Sequence, residues 1–382
     1  MSSSKRWTTI VKSIAWTIVA TTACAAQAAD IVIGQVTPLS GILATSGEQI
    51  RQGVQIYFDH VNESGGIHGA RIRHIVRDDA YKPEETLKHT RELISRENAV
   101  ALVGFAGTAN IGELLKQGVL AKANMPLVAP ITGADVLRTP FTPNVFHIRA
   151  SYADEMEYMV ETLLTIGINR IGVFYQNDPF GKAGVSGVEQ ALTKRNLKIA
   201  ASASYERGTE EVAEAVKAMR TSEPNAIIMI SVNRPAAAFA REYRKAGGKA
   251  QLLNLSVVDP GELVKLAGPE AIRGLGITQV VPFPYAITLP VIREYHVLLK
   301  KHGAPGAEIS YLGFESFLGA KILVEALRRA GPNPTPERVL RALENMDRLD
   351  VGGFVVGYSP RSRIGSKFVD MAIVGRDGRL HH

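Results

Sequence analysis

The chain has 382 residues, 46% of them hydrophobic and 21% charged, with 44 Lys and Arg against 37 Asp and Glu for a formal charge of +7. No basic run is interleaved with aromatic residues, so the sequence argues against a nucleic-acid partner. A single cysteine, Cys24, excludes a disulfide scaffold.

The first 28 residues read as a secretory signal peptide: Lys5, Arg6 and Lys12 form a basic start, "SIAWTIVATTA" a short apolar core, and Ala26-Gln27-Ala28 a small-x-small cleavage site. Cleavage after Ala28 removes Cys24 and three positive charges, leaving a periplasmic chain that begins Ala29-Asp30 with an excess of +4. A competing reading takes "TTAC" as a lipoprotein site with Cys24 lipidated, but Thr21 stands where a branched apolar residue is usual. No later stretch is long and apolar enough to cross a membrane.

Apolar strand-like runs then alternate with helical periodicity, the pattern of parallel sheets wrapped by helices. The first series runs "DIVIGQVTP", a helix, "ARIRHIVRD", a helix, "AVALVGF", a helix over about 111–122, and "PLVAP". After "RTPFTPNVF" a second series gives a helix over about 154–164, then "RIGVFYQ", "LKIAASASY", "NAIIMISV" and "QLLNLS", each separated by a helical pattern. The chain turns mostly helical after "LGITQVVPFP" and ends with "GGFVVGYSP" and "KFVDMAIVG" as a terminal pair of strands. Two α/β lobes of similar build in succession are the main expectation.

The glycines of "NESGGIHGARIRHIVRDDAYKP" follow a helix and precede a strand, the reverse of a phosphate-binding loop, so Gly65, Gly66 and Gly69 read as connectors with left-handed backbone. Asp78 and Asp79, between strand end and helix start, read as turn and capping residues. In "GFAGTANIG" the order is strand, glycines, hydroxyl, helix. Thr108 there serves either as an anion-binding hydroxyl beside free N–H groups or as a helix cap. No G-x-S-x-G elbow, H-E-x-x-H or Walker loop is present, and the histidines are dispersed; no metal or cofactor is expected.

"PLSG", "GGIHG…DDAYKP", "APITGADVLR", "FHIRASYADE", "VFYQNDPFGKAG" and "GFESFLGAKILVEALRRAG" in order resemble the leucine/isoleucine/valine-binding family of periplasmic solute-binding proteins. The resemblance implies a type I periplasmic binding fold: an α/β protein of two doubly wound parallel-sheet lobes joined by three crossover strands, near 146–151, 278–283 and 354–359. It divides the chain into a first lobe (29–149 with 281–354) and a second (150–280 with 355–382). The implied partners are a small carboxylate-bearing ligand and an ABC permease in the inner membrane, with the protein a monomer.

Carried across, the family pocket falls on Ser46, Ala106, Gly107, Thr108, Ile131, Thr132, Gly133, Tyr152, Asp178, Phe180, Val232, Ser256 and Glu315. Thr108 matches the hydroxyl that holds the ligand carboxylate, and Ile131 and Gly133 match contacts of the next loop, with Gly133 replacing a hydroxyl residue. Ser46, Phe180 and Val232 stand where tyrosines are usual. Ser256 stands where branched-chain binders place a glutamate against the ligand ammonium, so either Asp178, Asp259 or Glu315 supplies that charge or the ligand is not an α-amino acid. Tyr152 and Phe180 would then pack on an aromatic or apolar acid. Two other readings compete with a transport binding protein: a ligand sensor that docks on a membrane receptor, and an exported α/β enzyme, which lacks a visible catalytic group.

Overall fold

The computed structural model describes residues 29–382; the signal-peptide and Cys24 readings lie outside them. The first sheet is built from β1 (Ile31–Thr37), β2 (Ile72–Asp78), β3 (Ala101–Val103), β4 (Leu127–Val128) and β5 (Val145–Phe146) in the order β2-β1-β3-β4-β5, all parallel. Between these strands run α1 (Ala44–Glu63), α2 (Pro83–Ser95), α3 (Thr108–Lys116) and α4 (Val119–Lys122). The expected single helix over 111–122 is therefore two helices, because Gly118 takes φ 64° and breaks the ladder between them.

The second series repeats the plan with α5 (Tyr152–Thr165), β6 (Ile171–Gln176), α6 (Pro179–Thr193), β7 (Ala201–Tyr205), α7 (Ala213–Ser222), β8 (Ala226–Ile230), α8 (Asn233–Lys245), β9 (Gln251–Asn254), α9 (Pro260–Ala267), α10 (Pro269–Ile272) and β10 (Gly276–Gln279). Its parallel strands are ordered β7-β6-β8-β9-β10, the same winding as the first sheet. Central strands of such sheets are covered on both faces, which is why β8 reads Ala-Ile-Ile-Met-Ile with every residue buried.

The chain then returns to the first lobe through α11 (Pro290–His302), α12 (Tyr311–Ala330) and α13 (Pro336–Glu344); α12 packs along α1, and its apolar residues join those of β1, β3 and β4 in one core. The last strands are not a pair with each other. Val355–Val356 (β12) forms a small hairpin with Leu349–Asp350 (β11), whereas Asp370–Val374 (β13) adds antiparallel to β10 and is followed by Leu380–His381 (β14). Local alternation identified these strands but carries no information about which edge is open. The two doubly wound lobes match the expected type I periplasmic binding fold.

Helix starts follow from local chemistry. Ser151 and Asp154 form a capping box on α5, Asp178 accepts from the Phe180 and Gly181 N–H groups ahead of α6, and Asp259 accepts from Glu262 N–H at α9. Gly65, Gly66 and Gly69 all take positive φ, as expected of connectors.

Candidate functional site

In a doubly wound sheet the strand order reverses beside the first strand, and the loops diverging there open a crevice at the carboxyl ends of the strands. Both lobes have this switch point, between β1 and β3 and between β6 and β8. The two face each other across one cleft, with about 420 Å³ of empty space that includes open solvent. Pro38 follows β1 and Ala106, Gly107 and Thr108 follow β3, while Phe180 follows β6 and Val232 follows β8; all six line the cleft.

Of the expected residues, Ser46, Ala106, Gly107, Thr108, Ile131, Tyr152, Phe180 and Val232 line it together. Tyr81, Leu43, Ile50, Val257 and Leu312 complete the wall and escaped the sequence reading. Every lining residue is uncharged, and most are apolar.

The polar end is built on the loop after β3. Gly107 is the N-cap of α3 with φ 100°, a backbone state that favours glycine, and Thr108 is the first helical residue. As the first helical residue, Thr108 is not the N-cap of its own helix. Its Oγ1 instead lies 2.8 Å from Oγ1 of Thr132. Thr132 also accepts from Ala134 N–H at 3.3 Å and meets the Tyr152 hydroxyl. A donor chain from Tyr152 through Thr132 can therefore end on Thr108, leaving the Thr108 proton for an acceptor in the cleft.

Gly133 explains the missing hydroxyl of this loop. A Cβ on it would sit 2.5 Å from a ring carbon of Tyr152, whose N–H bonds Gly133 O at 2.7 Å. The tyrosine occupies the space a larger residue would need. Arg138 fixes the same loop, donating from Nη2 to the carbonyls of Thr132 at 3.3 Å and Ala150 at 3.1 Å. Within the second lobe the Tyr152 and Phe180 rings, both lining the cleft, meet edge to face at 5.5 Å.

The charged and polar members of the expected set have other partners. Asp178 caps α6 and also accepts from Gln176 Nε2 at 2.8 Å and Arg207 Nη1 at 3.1 Å. Glu315 is buried in a bidentate pair with Arg149, at 2.8 and 2.7 Å. Burial opposes the Arg149 charge, but the Glu315 carboxylate outweighs it and holds the guanidinium protonated.

Ser256 does not line the cleft; its N–H and hydroxyl both donate to Glu155, each at 2.9 Å. Glu155 takes a third donor, Thr278 Oγ1, at 2.5 Å. Burial pushes its carboxyl above the usual range while Arg149 opposes the shift. Glu155 was missed because Asp154, its neighbour, carries the visible capping signal.

Arg207, on the loop after β7, spans the lobes. Its guanidinium stacks 3.7 Å from the centre of the Tyr81 ring, donates to Asn110 Oδ1 at 2.8 Å, and donates to the Tyr81 carbonyl. Tyr81 is poised by a turn in which Asp78 Oδ1 accepts from Ala80 N–H at 2.8 Å and Asp79 Oδ1 from Tyr81 N–H at 2.9 Å, the turn role expected of these aspartates. Asn110 is held in turn by Thr86 Oγ1 at 2.8 Å and Asp79 Oδ2 at 3.2 Å. Asn233 Nδ2 also reaches Ser46 Oγ across the cleft, at 3.2 Å.

Comparison with known proteins identifies the family and the fold. The family described as "Periplasmic binding protein" matches residues 30–372. A crystal structure of a substrate-binding periplasmic protein from Ralstonia solanacearum is 44% identical, with a TM-score of 0.89 over 92% of this chain and 99% of that one. A possible leucine/isoleucine/valine-binding protein from Rhodopirellula baltica is 27% identical, with a TM-score of 0.88 over 93% of this chain and 97% of that one. Leu/Ile/Val-binding protein homolog 7 of Brucella abortus is 24% identical over 90% of this chain and 88% of its own length.

Proposed function

The chain belongs to the periplasmic binding protein family, and we propose that it is the solute-binding component of an ABC importer, capturing one small carboxylate-bearing ligand between its lobes. The observation that carries this is the pairing of two switch points across a single cleft, with the Gly107–Thr108 helix start at its polar end. Free N–H groups and the positive end of the α3 dipole favour an anion there, and the Thr108 hydroxyl adds a donor.

Capture proceeds by hinge closure. A ligand touching Thr108 and Ile131 on one side and Phe180 and Val232 on the other gains contacts only when the lobes approach, so binding shifts the population toward the closed form. The moving bodies in this reading are 29–149 with 281–354 and 150–280 with 355–382. The closed form is then the one a permease docks on. The protein works stoichiometrically as a monomer and returns its ligand unchanged, and removal of residues 1–28 delivers it to the periplasm.

The test is calorimetry with the acid that gives the largest thermal shift in a panel of amino and organic carboxylates. Hydrogen bonds to charged groups contribute roughly 1.5–3 kcal/mol, so Thr108→Ala weakens that binding about tenfold or more. Unchanged affinity in a folded variant would contradict the carboxylate assignment.

A further inference from the structure

We infer that the ligand of this cleft carries no ammonium group: the site selects a monocarboxylic acid with an apolar, branched or aromatic body over the corresponding α-amino acid. The inference rests on the reading that Thr108, at the start of α3, holds a ligand carboxylate, and it concerns the opposite end of that ligand.

An ammonium withdrawn from water needs a carboxylate that can face it. None of the residues lining the cleft has one. Five buried carboxylates stand within three residues of the lining in sequence, and each is already taken. Asp178, two residues before Phe180, receives two backbone N–H groups, the Gln176 amide and the Arg207 guanidinium. Asp259, two residues after Val257, caps α9 through Glu262 N–H at 2.7 Å and meets the Gln49 side chain. Asp79, two residues before Tyr81, accepts from Tyr81 N–H, Thr86 Oγ1 and Asn110.

Glu155, three residues after Tyr152, is the most informative. It is fully buried and outside the lining, and its oxygens take three donors from Ser256 and Thr278. Those donors come from the loop after β9 and from β10, so this carboxylate ties the base of the second lobe together. The serine that fronts it turns both its donors inward, and the next residue toward the cleft is Val257. Glu315, the remaining candidate, is bound bidentately by Arg149.

What the cleft offers beyond its polar end is surface of the right kind for hydrocarbon. Leu43, Ile50, Ile131, Val232, Val257 and Leu312 surround the Tyr152–Phe180 pair. Such a wall contributes through apolar burial and edge-on ring contacts, which an ammonium would forfeit.

Matched pairs differing only in the α-amine test this: leucine against isocaproate, valine against isovalerate, and phenylalanine against hydrocinnamate. Each is titrated calorimetrically into the mature chain after its resident molecules are stripped by denaturation and refolding. The expected result is at least tenfold tighter binding of the amine-free member in every pair that binds. Equal or tighter binding of the amino acid overturns the inference while leaving ligand capture intact. If none of the six binds, mass spectrometry of the molecule released from freshly purified protein decides. An amine-free carboxylate supports the inference; an amine or a non-acid overturns it. Release of nothing, with no binder among the six, would count against capture itself and so against this inference with it.

Discussion

Replacing Arg207 with alanine removes the guanidinium that joins the two lobes beside the cleft. Its links to the first lobe are the Tyr81 carbonyl, Asn110 Oδ1 at 2.8 Å and the Tyr81 ring at 3.7 Å. Charge-assisted bonds contribute roughly 1.5–3 kcal/mol apiece and a stacked cation roughly 0.5–2 kcal/mol. The Arg207 side chain is 20% exposed, so water screens part of this. About 2–3 kcal/mol then favours the closed form over the open one, since these links form only when the lobes meet. Affinity for the best-binding acid should fall about 30- to 150-fold, mostly through faster release. The stability of the ligand-free open form should barely change. Lysine at 207 should recover little, because an ammonium neither stacks flat on Tyr81 nor forks between two acceptors. Calorimetry gives the affinity, and small-angle scattering with and without ligand gives the closed fraction. Affinity within threefold of the parent, with an unchanged closed fraction, would refute the reasoning.

Three further outcomes follow from buried contacts. Glu315→Gln leaves the Arg149 guanidinium buried without its countercharge and should cost about 3–5 kcal/mol in urea unfolding, whereas Arg149→Met combined with Glu315→Leu should recover most of it. Gly133→Ala places a methyl 2.5 Å from the Tyr152 ring; it should destabilise the fold by about 1–3 kcal/mol and weaken ligand binding, read by urea unfolding and calorimetry. Burial, with Arg51 adding to it, lowers His74 to about 3, and burial beside Arg138 likewise lowers His147 well below the ordinary histidine range. The unfolded chain takes up these protons first. Stability is therefore complete above about pH 6.5 and declines as pH falls toward the lowered values, and His74→Gln should flatten that decline in urea titrations.

The sequence made the alternating strands and helices legible because buried parallel strands such as β8 are uninterrupted apolar runs and because Ser151, Asp178 and Asp259 announce helix starts. It made half of the wall legible because carboxyl-end loops are recognisable from strand order alone. The rest depends on partners far apart in the chain. Glu315 reads as a free carboxylate until Arg149, 166 positions away, is seen to hold it. Tyr81 sits in a turn whose aspartates account for its local pattern, so nothing marks its ring as part of a cleft wall. Arg207 lies in a polar loop with no periodicity, and only the meeting of the lobes gives it a role. Leu312 reaches the cleft from the first turn of α12 after the chain has returned to the first lobe, a path that local pattern cannot trace.

Amide hydrogen exchange, with and without the tightest-binding acid, tests capture between the lobes most directly. The account predicts slowed exchange on both faces of the cleft at once: residues 105–109 and 131–134 of the first lobe, and residues 179–182 and 232–234 of the second. The segments carrying Tyr81 and Arg207 should slow with them. Protection confined to one face, or centred on a surface away from both switch points, would contradict it.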